Sequence, residues 1–216
     1  MKALKKILPE SFKERYRWRW WALRHRLGPP ALPRNADGRV EVHLGCGQAK
    51  HPRFINIDAM PWPHVHHVCG VDRLPMLADG SVDLIYVSHC LEHLSFLDVP
   101  AILKEWRRTL KRGGLLRISV PDFDLILAIY RSNEQRIESM EPTLMGGQDY
   151  AYNFHKSIYN QDRLGALLEA AGFGRAQLWT PGADDLTPFS DWSGKTVAVG
   201  DRRYPVSLNM EARNDA

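Results

Sequence analysis

With 216 residues, 44% of them hydrophobic and 25% charged, the chain has apolar material for one full core and too little for two, and its composition excludes a disordered polymer. Three cysteines, Cys46, Cys69 and Cys90, with no C-x-x-C pair among them, exclude a disulfide framework and a zinc ribbon and point to a reducing, cytoplasmic setting. The net charge of +4 is unevenly placed: residues 1–27 hold nine Lys or Arg against Glu10 and Glu14, which leaves the remainder slightly acidic.

The first expected element is a basic helix over residues 1–27. At 3.6 residues per turn Phe12, Tyr16, Trp20, Leu23 and Leu27 share one face, flanked by Lys13, Arg17 and Arg24 on one side and Arg15, Arg19 and Arg26 on the other. Such a face suits peripheral contact with the inner face of a membrane, aromatic rings at the headgroups and cations on anionic lipid. Trp18 and Trp21 project from the opposite side, which suits packing on the chain's own domain or on a second copy in a homodimer equally well. No nucleic-acid partner is expected, because the charge is not spread over a groove-sized domain face. Neither export nor membrane insertion is expected, since no apolar run approaches the roughly 18 residues a span requires.

Gly28, Pro29, Pro30 and Pro33 end the helix and make residues 28–38 a linker to a domain over 39–216. Strands are expected at Val40 to Leu44, Phe54 to Ile57, Val65 to Cys69, Val82 to Val87 and Leu115 to Val120, with two more near 175–180 and 205–211. Between them fall a helix through Ile102, Leu103, Trp106 and Leu110, stopped by Gly113-Gly114, and helices over 122–137 and 161–171. Strands alternating with helices imply a Rossmann-like, doubly wound, mostly parallel α/β sheet.

In such a sheet the ligand sits beyond the carboxyl ends of the strands, and the informative residues fall there. Gly45 and Gly47, either side of Cys46, remove side chains where backbone amides approach a ligand; Asp58 follows the second strand and can accept from both ribose hydroxyls. Asp72, in Asp72-Arg73-Leu74-Pro75, can accept from an adenine amino group while Leu74 covers the ring, and Ser88 and His89 end the fourth strand. This order is the order a nucleoside ligand requires.

The segments Val42-His43-Leu44-Gly45-Cys46-Gly47, Ile57-Asp58, Asp72-Arg73-Leu74-Pro75, Val82-Asp83-Leu84-Ile85, Leu91-Glu92-His93 and Leu110-Lys111-Arg112-Gly113-Gly114 resemble the successive motifs of the class I S-adenosylmethionine-dependent methyltransferases, over residues 40 to 120. The resemblance implies a seven-stranded sheet with an antiparallel last strand, and a glycine loop on the methionine portion of S-adenosylmethionine, Asp58 on the ribose and Asp72 on the adenine. Tyr152-Asn153-Phe154-His155-Lys156, Leu168-Glu169-Ala170-Ala171-Gly172-Phe173 and Ser207-Leu208-Asn209-Met210-Glu211-Ala212 resemble a subgroup associated with bacterial surface-glycan synthesis, which implies a hydroxyl of a sugar or glycan intermediate as acceptor.

Two departures from the family pattern bear on the site. His43 stands where many members carry an acid, so Glu41 or backbone carbonyls would have to recognise the amino group. Only ten residues, interrupted by Pro52, separate Gly47 from Asp58, which leaves a loop in place of the usual first helix. In-line methyl transfer depends chiefly on positioning, and a hydroxyl acceptor gains from a base, for which His89 and His155 are the candidates; each could instead only shape the pocket. Asp122 and Asp124 are placed to contact the acceptor, or Asp122 to cap the following helix.

Two other readings compete. His89-Cys90-Leu91-Glu92-His93 fits the H-x-x-E-H pattern of inverted zinc peptidases, with His89 and His93 as ligands and Glu92 activating water, though no third ligand is assigned by spacing. The shortened loop before Asp58 would suit a non-catalytic module that binds the cofactor or a partner.

Overall fold

The computed structural model describes residues 10–28, 30–199 and 201–215. Helix α1 spans Glu10–Leu27; residues 1–9 of the expected leader helix lie outside the described residues, as do the side chains of Phe12, Lys13 and Arg17. Trp18 packs edge-on and Trp21 tilted against Trp62, at centroid separations of 4.6 and 5.4 Å, and His25 Nε2 lies 2.6 Å from the Val65 carbonyl oxygen. The side of α1 bearing Trp18 and Trp21 therefore faces the domain. Tyr16, Trp20, Leu23 and Leu27 face outward, Leu27 with 81% of its surface exposed.

The domain is built on β1 (Glu41–Leu44), β2 (Phe54–Asp58), β3 (His67–Val68), β4 (Val82–Ser88), β5 (Leu110–Pro121), β6 (Gln177–Leu178), the hairpin β7 (Thr196–Val199) and β8 (Arg202–Pro205), and β9 (Ser207–Arg213). Helices α2 (Val99–Thr109), α3 (Phe123–Ser132), α4 (Glu141–Met145) and α5 (Gln161–Ala170) complete it. Seven strands form one sheet in the order β3-β2-β1-β4-β5-β9-β6, parallel except at β9, which runs antiparallel to both β5 and β6. This is the expected Rossmann-like, doubly wound α/β architecture. Chain order reverses between β1 and β4, so a cleft opens at their carboxyl ends.

Burial on both faces explains the apolar run Leu84 to Val87 of β4, whose four residues are all buried; in β1 the buried positions include Glu41 and His43. On one face Val42, Leu44, Ile85, Val87, Leu116 and Ile118 pack under α2 and α5, with the Trp106 indole donating to the Val71 carbonyl at 2.7 Å. On the other, Phe54, Leu84, Tyr86, Leu115 and Trp179 are covered by Leu186 and Phe189, which belong to a long loop and not to a helix. Arg117, 4% exposed, holds that loop to the sheet through Asp184 at 2.6 Å and Glu211 at 2.8 Å.

Three local expectations change. Helix α2 stops at Thr109, and Gly113-Gly114 are not its end but a bulge inside β5: Val82 pairs with Leu110 and Leu84 with Leu115, and a Cβ on Gly114 would strike the Lys111 carbonyl. Strand β3 is two residues long, not five. The β7–β8 hairpin and α4 were not foreseen.

Candidate active site

The turn after β1 folds over the end of β2. Gly45 N–H donates to the Ile57 carbonyl at 2.8 Å, Gly47 N–H to Asp58 Oδ2 at 2.7 Å, and Met60 N–H to Asp58 Oδ1 at 2.7 Å. Burial raises the Asp58 pKa and these two backbone donors pull it back. Each carboxylate oxygen has further acceptor capacity, which fits two ribose hydroxyls. A Cβ at Gly47 would meet nothing within 4 Å, so the space beside the turn is open there, while the Gly47 amide itself is spent on Asp58. Gly45 is different: its missing Cβ makes room for the Cys90 side chain, so close backbone packing, not ligand approach, demands glycine there. Gly45 and Gly47 both adopt positive φ, +62° and +53°. The stretch from Gly47 to Asp58 contains a loop and no helix, as expected.

Asp72 follows β3 on the neighbouring edge. Cys69 N–H donates to the Asp58 carbonyl at 3.0 Å, Asp58 pairs with Val68 in β3, and Asp72 follows with its carboxylate folded back against Gly70, so the two acids lie beyond adjacent strands. Asp72 and Arg73 are exposed and Cys46 is buried. Leu74 does not cover a ring: it has no exposed surface and belongs to the main core, its N–H donating to Glu105 Oε1. Glu41 is likewise unavailable for amino-group recognition, because it opens β1 at the end opposite the cleft and pairs with Arg53 at 3.0 Å and Arg39 at 3.4 Å. His43 is sealed among Phe54, Tyr86 and Phe189, and burial drops its pKa to about 3.

Beyond Ser88, at the end of β4, His89 turns the chain with φ +48°. Its Nε2 lies 2.7 Å from Ser207 Oγ, whose proton goes to the Trp192 carbonyl at 2.8 Å, so Nε2 is the donor. Its Nδ1 lies 3.3 Å from Glu92 Oε1. Nε2 is therefore spent on Ser207 and Nδ1 faces the buried Glu92 carboxylate without a hydrogen bond to it, an arrangement suited to orienting Glu92. The H-x-x-E-H reading fails on the same geometry: residues 89–93 form a left-handed turn and a 3-10 turn, not one helical turn, and His89 Nε2 is spent on Ser207. Asp122 caps α3 by accepting from Asp124 N–H at 3.0 Å.

His155 comes to this place because the Glu92 carbonyl accepts from Lys156 N–H at 2.7 Å and Ser157 N–H at 3.1 Å. His155 Nδ1 donates to the Thr143 carbonyl at 2.9 Å, leaving the Nε2 lone pair free, and burial lowers its pKa. Tyr150 was missed by the sequence reading. It is 46% exposed, in the loop before His155, and its phenol is pushed upward by burial and then by the charges of Asp58 and Asp149. The one sequence signal is Gly146-Gly147, where a Cβ would strike Asn153 across the loop. Beyond Thr143 lies a cavity of about 170 Å³ walled by Leu125, Ile126, Ile129 and Met140.

Residues 49–118 match the family model of a methyltransferase domain, a span that includes Asp58, Asp72 and His89 and begins just past the glycine turn. No curated protein sequence matches the chain. Among solved structures, a SAM-dependent methyltransferase from Archaeoglobus fulgidus is 17% identical, with 81% of this chain and 86% of that one covered at a TM-score of 0.51. The 1,6-didemethyltoxoflavin-N1-methyltransferase of Burkholderia thailandensis, solved with S-adenosylhomocysteine, is 19% identical, covering 89% and 75% at 0.50. A possible histamine N-methyltransferase from Thermotoga maritima is 17% identical, covering 93% and 90% at 0.50. At these identities the structures show a common fold. The fold is thus one shared with solved methyltransferases, and the sequence likeness to a methyltransferase domain is confined to residues 49–118.

Proposed function

We propose that the chain transfers the methyl group of S-adenosylmethionine to a hydroxyl of a sugar or glycan intermediate in polysaccharide assembly. The observation that carries the cofactor half is the Asp58 carboxylate, held by Gly47 and Met60 at the end of β2 with acceptor capacity to spare. In this reading Gly45, Cys46 and Gly47 cradle the methionine portion with Ser88 nearby, Asp58 binds the ribose, and Asp72 beside Arg73 meets the adenine. The cofactor supplies an activated methyl on a sulfonium. The protein's part is to hold the acceptor oxygen in line at roughly 3–3.5 Å and to exclude water. His155 Nε2 takes the hydroxyl proton and His89 orients Glu92 beside it. Exposed rings of Tyr152, Phe154 and Trp192 around the cluster offer stacking faces for a sugar.

The outward face of α1 supports attachment to anionic lipid at the inner face of the membrane, with residues 1–27 as anchor, 28–38 as linker and 39–216 as the catalytic domain. Tyr16, Trp20, Leu23 and Leu27 are exposed and Arg24 lies over the Trp20 ring at 5.6 Å. No described helix is long and apolar enough to cross a membrane. Labelled S-adenosylmethionine with nucleotide sugars, lipid-linked glycans and polysaccharide fragments tests the acceptor: label in a glycan supports the proposal, and label confined to amines or protein contradicts it. Sedimentation with anionic vesicles tests the anchor. Loss of binding on deleting residues 1–27 supports it, and dimer dissociation without any vesicle binding would assign the face to a second copy.

A further inference from the structure

We propose that Glu92, His93 and His155 form a binding site for one divalent cation of the zinc class. One ligand atom from each residue lies within 4.8 Å of the others, wider than the about 3.4 Å between two ligand atoms on a tetrahedral zinc, so the side chains would draw in by up to about 1.4 Å around an ion. The two imidazole rings stand 4.8 Å apart at an interplanar angle of 74°, edge to face instead of stacked.

Each imidazole is already oriented as a ligand. His93 Nδ1 lies 3.3 Å from the Phe154 carbonyl and His155 Nδ1 2.9 Å from the Thr143 carbonyl. A carbonyl can only accept, so both Nδ1 atoms carry the proton and both Nε2 atoms carry the lone pair. Hydrogen bonds from the second ring nitrogen to a carbonyl are how metal-binding histidines are commonly held.

The carboxylate supplies a second, independent observation. Glu92 is 1% exposed and neither carboxylate oxygen receives a hydrogen bond among the described residues, although Oε1 lies 3.3 Å from His89 Nδ1. A buried carboxylate oxygen without a donor is expensive, and a cation is the partner that removes the deficit. Two imidazoles and one carboxylate are a ligand set for zinc with an open position for water or substrate, and they disfavour magnesium and calcium, which take oxygen ligands. Cys90 is not part of the set, its side chain being packed against Gly45.

A cation here would join the turn after β4 to the loop that carries His155. It would also occupy the His155 lone pair, so base catalysis by His155 and metal binding exclude each other. Metal binding is read out without methyl transfer, so its failure leaves the methyl-transfer proposal standing, and its success removes only the base role of His155 from it.

The test uses the full chain, stripped with a chelator and dialysed. Calorimetry with ZnCl2 is expected to give one site per chain, and Zn2+ to raise the unfolding midpoint. Co2+ is expected to give ligand-field absorption without a thiolate charge-transfer band. Glu92→Gln and His155→Ala should each weaken binding at least about tenfold and abolish the midpoint shift, while His67→Ala binds as the unaltered chain does. Should Glu92→Gln fail to fold, His155→Ala carries the test alone, since His155 sits on the loop and its metal-free midpoint is measured in parallel. Absence of binding to the folded chain, unaltered affinity in His155→Ala, or a thiolate band would overturn the site.

Discussion

Gly45 lies against the side chain of Cys90, so the turn after β1 and the turn after β4 meet with no space for a methyl group between them. Gly45→Ala meets both this contact and its own positive φ, and should destabilise the domain by more than about 1 kcal/mol. In the double variant Gly45→Ala/Cys90→Gly the steric part disappears, because the next atom is 3.9 Å away. The summed single losses should therefore exceed the loss in the pair. Denaturant titration of the four proteins reads this coupling, and strict additivity would show that the contact carries no energy.

His43 makes the domain acid-sensitive. Its folded pKa, about 3 through burial, lies below the ordinary 6.5, so the unfolded chain binds the extra proton. Stability from this group is complete above pH 6.5 and drains as pH falls toward 3. From pH 6.5 to 5 the loss is about 2 kcal/mol, at ~1.4 kcal/mol per pH unit. Urea unfolding of His43→Leu across the same range should show a shallower decline than the unaltered chain, and an identical slope would remove His43 from the account.

Arg117 is nearly sealed and binds Glu211 and Asp184, with Trp179 at 4.7 Å from its guanidinium carbon. Arg117→Ala leaves the Glu211 carboxylate uncompensated and should cost about 3–5 kcal/mol. Arg117→Met/Glu211→Gln should recover a large part of that. Thermal unfolding decides, and a double variant no better than Arg117→Ala would contradict the ion-pair explanation.

Strands β1, β2, β4, β5 and β9 were legible because their apolar runs and bounding turn residues are local signals. So was the order of Gly47, Asp58 and Asp72 at strand ends. What escaped depends on partners distant in sequence. Gly113-Gly114 reads as a helix stop until Leu110 is seen already paired with Val82. Leu74 and Glu41 look ligand-facing until the first is found in the core and the second between two arginines. The ring nitrogens of His89 are decided by Ser207, 118 positions away, and His155 reaches Glu92 through backbone bonds that no motif encodes.

The central claim is that Asp58 and the turn at Gly47 hold the nucleoside of the cofactor. Calorimetric titration of the full chain with S-adenosylhomocysteine tests it most directly. One molecule should bind per chain, and Asp58→Ala should bind at least about tenfold more weakly, since each hydrogen bond to a charged group contributes about 1.5–3 kcal/mol. No binding heat from the folded chain, or equal affinity in the two proteins, would contradict it.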